Sequence, residues 1–348
     1  MLEALFFSNL ATVTFGLLMS ISRSRLDTFI LISLIMVTAQ SVIIGLRDPR
    51  MMTDTREYAA LFTGTSGFEE NIEPAFMLFV YLFRLVTDQV DLFLITASAL
   101  LNLVYFSFLY LILNRYSLLA FGLFGSTFPY WLVHVQILRS GIASAFLLLG
   151  ISLFLSQKYR RALILLATSV ATHFSMAVVS TGAFLGYVAS DLSAKKILSA
   201  SVLIFFVFIA YEYAIPNVTF LAPWKQRLEA YSYYAENVFV DSSFGYQYVF
   251  FLLILISLFL FWRRQHETTK ILFFIYFTVT VLSFAFWSNV LYRDRIFIFA
   301  QLIEPALLTI LAISVVGRKY GALLISVVSV LMSILVIFYW GPRTVLIF

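Results

Sequence analysis

Apolar residues fall along this chain in long runs separated by short polar stretches. Runs of spanning length, about 20 residues within a range of about 17–25, lie near positions 4–20, 28–46, 92–113, 117–137, 141–156, 197–215, 245–262, 271–290, 296–316 and 320–340. Two further apolar segments fit less simply: 74–87 is short and contains Arg84, and 162–189 is long for one span and short for two. The pattern predicts an all-α fold, a polytopic integral membrane protein of about ten transmembrane helices plus two short or re-entrant segments. No internal repeat or low-complexity tract is visible.

Composition agrees and narrows the class. The chain has 348 residues, of which 62% are hydrophobic and 12% charged, with a mean hydropathy of +0.97. Soluble domains run at about 45–50% apolar and about 25% charged. One membrane domain over 1–348 is the simplest organisation, and nothing in it suggests a nucleic-acid partner. With no cysteine, disulfides, thiolate metal sites and cysteine nucleophiles are excluded. The first twenty residues lack a basic leader region and read as a span rather than a cleaved signal.

Orientation follows from Lys and Arg in short loops, which favour the cytoplasm. The stretches SRSR (22–25), Arg115, KYRR (158–161), KK (195–196), RRQHETTK (263–270) and RK (318–319) all lie inside if 74–87 and 162–189 dip in and return. If both cross fully, Arg115 and KYRR move outside, against the rule. Either way the loops 47–73 and 216–244 face the extracytoplasmic side. The second of these is rich in Tyr, with one Trp, and suits sugar stacking or an interfacial helix.

Charge on the outer side is the feature that suggests chemistry. Arg47, Arg50, Arg56, Arg84, Arg139, Arg293 and Arg295 lie at or just within the outer boundary, where few basic residues are normally found. Individually they can snorkel or pair with Asp48, Asp54 and Asp294. Together they favour a diphosphate ligand, because a guanidinium holds phosphate oxygens bidentately. His173 stands inside an apolar segment, with Thr168, Thr172 and Ser175 suggesting a polar seam beside it. His134 precedes Arg139 by five positions, a rise of about 7–8 Å if one helix carries both. His266 lies in a charged loop and reads as solvated.

Five short motifs follow one another along the chain: Gly45-Leu46-Arg47 followed by Asp54 and Tyr58, EPAF (73–76), RSGIA (139–143), HFSMA (173–177) and YRDRIF (292–297). Their order resembles the EpsG-like branch of the Wzy-type polysaccharide polymerases. Ser140 stands where the family pattern has Gln, Ala75 where it has Gly, and Met176 separates Ser175 from Ala177. The resemblance implies a multi-pass glycosyltransferase of the bacterial inner membrane. Such an enzyme joins undecaprenyl-diphosphate-linked oligosaccharide repeat units at the periplasmic face during surface polysaccharide synthesis. It implies membrane lipid as surroundings, and a flippase and a chain-length regulator as partners. Arg47, Arg56, Arg139, Arg293 and Arg295 become diphosphate contacts, and His173, His134 or Asp54 the base, with His173 ahead. Tyr58, Glu73 and Tyr292 become substrate-positioning residues. Without a DxD-type carboxylate pair, no metal and no cofactor are expected. A flippase or transporter of the same lipid-linked oligosaccharide, or a related glycan ligase, is the competing reading. Inverted repeats and basic residues buried mid-span would mark the transporter.

Overall fold

A computed structural model of the chain describes residues 1–22, 25–49, 53–65, 73–190, 265–285 and 290–336, together with Ile254. Among these residues there are helices and no strand, and six helical stretches are long and apolar enough to cross a membrane. The described residues are all-α and polytopic, as the hydropathy pattern predicts. The expected spans 197–215 and 245–262 and the loop 216–244 lie outside the described residues, Ile254 apart. The chain divides into two compact units, Met1–Met176 with Leu308–Phe348, and Ala177–Leu307.

The first unit opens with α1 (Leu2–Ile21) and α2 (Leu26–Gly45), which match their predicted spans. It continues with α3 (Thr53–Thr63), α4 (Pro74–Arg84), α5 (Val90–Leu113), α6 (Ser117–Gly125), α7 (Phe128–Val135), α8 (Leu138–Leu155) and α9 (Tyr159–Thr172). Close backbone approach binds the bundle. A Cβ at Gly16 would lie 2.7 Å from the Leu119 backbone nitrogen, and one at Gly45 would lie 2.4 Å from Ile95 Cα. Small residues at such crossings drive helix association where no hydrophobic effect operates between helices. A polar seam adds hydrogen bonds between α1, α2, α6 and the last described helix. Asn9 Nδ2 donates to Ser126 Oγ at 2.7 Å and to Ser333 Oγ at 2.9 Å, and Gln40 Nε2 donates to Asn9 Oδ1 at 3.1 Å.

Three departures from the predicted spans matter for the site. The 117–137 run is not one helix: α6 ends at Gly125, Thr127 is extended, and α7 starts at Phe128 with Pro129 in its first turn. Pro lacks the N–H that a continuous helix needs, so the break falls where the physics places it. The 162–189 run breaks at His173, whose extended backbone (φ −154°, ψ 116°) ends α9 before α10 (Met176–Ala189) begins. The predicted outer loop 47–73 contains the helix α3, which its low mean apolarity hid.

Helix α4 settles the length of the 74–87 segment, since its 11 residues rise about 16 Å, half of a hydrocarbon core of about 30 Å. Its Phe76 and Val80 are buried, whereas Leu78, Tyr81 and Leu82 are exposed. Aromatic contacts fasten it to its neighbours: Tyr58 meets Phe76 at 5.6 Å, Phe62 meets Phe83 at 6.1 Å, and Phe79 lies 5.8 Å from Phe93. Arg84 Nε donates to the Phe62 carbonyl at 2.6 Å, and Arg84 Nη2 donates to that of Leu61. This guanidinium caps the C-terminus of α3, where unsatisfied carbonyls and the helix dipole favour a cation.

Helices α8 and α9 form an antiparallel pair, with Ser169 Oγ donating to the Ala143 carbonyl at 2.7 Å and Gly150 facing Leu166 and Ala162. The pairing brings the start of α8, with Arg139, to the end of α9, with His173.

The second unit contains α10 from Ala177, α11 (Glu267–Ala285) and α12 (Val290–Val316) as far as Leu307. A Cβ at Gly186 would lie 2.7 Å from Ile275 Cα, so α10 and α11 touch closely. Tyr276 Oη donates to Glu304 Oε1 at 2.9 Å, joining α11 to α12. α12 starts at Val290, six positions before the predicted span, which places YRDRIF in helix. After Gly317, α13 (Arg318–Leu335) completes the first unit.

Candidate active site

Glu73 is the N-cap residue of α4, with extended backbone (φ −65°, ψ 145°) and Pro74 following. A side chain there commonly caps its own helix. Glu73 does not, and reaches instead to the start of α8 and the end of α9. Its Oε1 accepts from His173 Nδ1 at 2.9 Å and from the Phe174 N–H at 3.1 Å, while Oε2 meets Arg139 Nη1 at 2.7 Å. The Glu73 side chain is 16% exposed, Arg139 20% and His173 8%. The group is thus largely enclosed with a narrow solvent face.

The electrostatics hold this carboxylate ionised. Burial pushes the Glu73 carboxyl up, but the hydrogen bond and charge of His173, the Arg139 guanidinium and the Phe174 N–H outweigh it. The net result is a pKa lowered to about 2. A carboxylate only accepts, so Nδ1 of His173 carries its proton toward Glu73. In the neutral imidazole the lone pair then sits on Nε2. A carboxylate fixing one ring nitrogen so that the other can take a proton is the arrangement of a general base.

A second polar group surrounds Arg47, just beyond the end of α2. Its side chain is buried, 1% exposed. Nε donates to Thr55 Oγ1 at 3.2 Å, and Nη1 donates to the Ile44 carbonyl at 3.0 Å and to Ser98 Oγ at 3.3 Å. Thr55 Oγ1 passes the chain on to the Val135 carbonyl at 2.6 Å. Burial lowers the Arg47 pKa to about 10, opposed by Tyr58 and Tyr130, and the group stays protonated at neutral pH. His134 is fully buried in the last turn of α7. Its Nδ1 donates to the Tyr130 carbonyl at 2.7 Å and its ring lies 4.3 Å from that of Tyr130. Asn102 Nδ2 donates to Ser41 Oγ at 3.0 Å and to Tyr130 Oη at 3.5 Å.

A family model described as the EpsG family matches residues 29–344. The chain belongs to the EpsG family. No curated protein and no solved structure matches it. EpsG is a Wzy-like polysaccharide polymerase family, and a polysaccharide polymerase role with glycosyltransferase-like chemistry follows for this EpsG-family protein in general terms. The matched region contains every residue of both polar groups.

Of the residues singled out in the sequence, the fold joins Glu73, Arg139 and His173 directly. Arg47 and His134 fall in the second group, and Tyr58 lies beside Phe76 on the α3 side. Arg56 is exposed on α3, and Asp54 lies one position before Thr55 on the same helix. Arg293, Arg295 and Tyr292 lie in the second unit on α12; Arg293 is buried with Nε on Asp294 Oδ1 at 3.0 Å, and Arg295 is half-buried. His134 and Arg139 do not share a helix, because the chain breaks at Gln136 and Ile137, so the rise expected between them does not apply. The expected seam beside His173 is also different: Thr168 and Thr172 donate to Ile164 and Thr168 carbonyls of their own helix. The Phe174 N–H, Thr55, Ser98 and Tyr130 were not foreseen. Among the described residues no three His, Asp or Glu side chains converge as a metal site would require.

Proposed function

We propose that this EpsG-family protein joins oligosaccharide units carried on a lipid diphosphate, undecaprenyl diphosphate, at the extracytoplasmic face of the bacterial inner membrane. The observation that supports the reading is the Glu73 carboxylate held between His173 Nδ1 and Arg139 Nη1. In the proposed step a hydroxyl of the acceptor sugar attacks the anomeric carbon of the donor unit. The new glycosidic C–O bond forms as the bond from that carbon to the diphosphate oxygen breaks. The hydroxyl proton passes to His173 Nε2 and the lipid diphosphate leaves with the electron pair. Glu73 orients the imidazole and stabilises the imidazolium, a task worth about 10⁴ in rate where a comparable carboxylate has been neutralised. Arg139 has N–H donors beyond the one on Glu73 and meets the departing diphosphate. Arg47, enclosed by neutral partners, serves as a post that fixes the end of α2 to α3 and α5.

Glycan gels of cells lacking the chain test the reading. Loss of a polymerase leaves single repeat units on the final acceptor, and restoring the parent chain, but not Glu73→Gln, restores the ladder. Complete loss of surface glycan would instead indicate a flippase. The side is tested in this cysteine-free chain. Thr65→Cys should react with an impermeant thiol reagent from outside, and His266→Cys only after permeabilisation.

A further inference from the structure

At the end of the first unit away from Glu73, the described residues line an open cavity of about 490 Å³. Its polar lining comes from three elements: Ser20 and Ser22 at the end of α1, Asn114 and Arg115 in the turn after α5, and Arg318 and Lys319 at the start of α13. None of the residues lining it is acidic. Fifteen positions of α5 separate its Leu113 end from Ser98, about 22 Å of helix. The cavity is therefore distinct from both polar groups described above.

Two further observations indicate what it takes. The first turn of the 18-residue α13 carries no acidic side chain, so its free N–H groups and dipole add positive potential beside Arg318 and Lys319. Gly317 precedes it at φ +85°, and a Cβ there would meet nothing within 4 Å, so the approach is open. Below, the walls are closely packed: the α1–α6 approach at Gly16 and the α12–α13 approach at Gly321, where a Cβ would lie 2.7 Å from the Ala312 backbone, sit within about a turn of the lining residues. The lining residue Ile21 is apolar and exposed, as are Leu18 and Val316 within a turn of the lining residues along the chain. A cationic hollow with an apolar lip, at the ends of spanning helices, matches a phosphate that carries acyl chains better than a free one.

We propose that this cavity binds the headgroup phosphate of an anionic phospholipid, held by Arg115, Arg318 and Lys319 with the first-turn N–H groups of α13. The full chain in nanodiscs of phosphatidylcholine, with and without a minor fraction of phosphatidylglycerol, provides the test. Native mass spectrometry reads retained lipid and thermal unfolding reads stabilisation, since a ligand of the folded state raises the midpoint. The parent should retain phosphatidylglycerol and gain stability from it. The triple variant Arg115→Gln/Arg318→Gln/Lys319→Gln should lose about a hundredfold in affinity, and Arg318→Gln alone, at an exposed position that tolerates change, about fivefold. The control triple Lys158→Gln/Arg160→Gln/Arg161→Gln, in and beside the α8–α9 turn, should keep parental binding. Equal losses in both triples, or none in the first and in Arg318→Gln, overturn the site. Equal stabilisation by millimolar inorganic phosphate in phosphatidylcholine discs overturns the lipid assignment.

Discussion

Arg139 and Arg47 are two arginines of the same unit, and the fold uses them in opposite ways. Arg139 pairs with a carboxylate, is partly open, and belongs to a group of ionisable side chains contributed by α4, α8 and α9. Arg47 is enclosed, and it donates to two hydroxyls and a carbonyl. A buried cation held by neutral groups gains specificity of geometry at a desolvation cost, and its removal leaves those partners unsatisfied. A cation beside a solvent-facing carboxylate–imidazole pair has a field that a reaction can use. The same residue type is held by hydroxyls and a carbonyl in one place and by a carboxylate in the other, and under the proposed function only the second meets substrate.

The comparison breaks first at Glu73. Glu73→Gln keeps size and loses charge, and polymerisation in isolated membranes should fall by about 10³-fold or more with protein level unchanged. Parental activity would remove the carboxylate from the reaction. His173 comes next: His173→Ala should cost about 10²–10⁴-fold. His173→Gln separates roles, since retained activity there indicates orientation of the hydroxyl, and loss in both variants indicates a base.

The two arginines are then set directly against each other by the same substitution. Arg139→Lys keeps the charge but not the fork and should reduce turnover about tenfold to a hundredfold with little change in unfolding. Arg47→Lys should lower stability by about 2–3 kcal/mol in detergent unfolding, through lost hydrogen bonds, while the folded fraction keeps most of its turnover. The reverse pattern would exchange their roles.

Acid provides a gentler probe. The folded pKa of Glu73, about 2, lies below its ordinary value of 4.5. The carboxylate therefore contributes stability that is fully present above about pH 4.5 and is lost as pH falls toward 2. Unfolding of the parent should show that acid-sensitive component, and Glu73→Gln should lack it. Smallest is Ser98→Ala, which removes a 3.3 Å contact to Arg47 and should cost about 1 kcal/mol, read by the same unfolding assay.

Much of the site was visible before the fold was known, but not its grouping. The motif order named Glu73, Arg139 and His173 separately, with Glu73 only as a positioning residue. It set Arg47 and Arg139 in one diphosphate-binding set. The structure places them in different surroundings because α2 approaches α5 at Gly45 and carries Arg47 inward, whereas the α8–α9 pair ends at the surface of α4. The 117–137 run reads as one span because it is apolar on average along its length. The break at Thr127 and Pro129 is a backbone property that hydropathy does not sense.

Sequence alone determined that the chain is a helical membrane protein and where most of its described spans lie, because burial in lipid is a sum over neighbouring residues. It also determined the candidate set, because charged and imidazole side chains in an apolar chain are few and costly. Tertiary structure alone decided which of them meet. Glu73 and His173 are 100 positions apart, and their contact depends on α8 and α9 packing antiparallel and on α4 being too short to leave their ends. A hydrogen bond is a relation between two distant positions, fixed to a few tenths of an ångström by the packing of everything between them, and no local pattern along the chain encodes it.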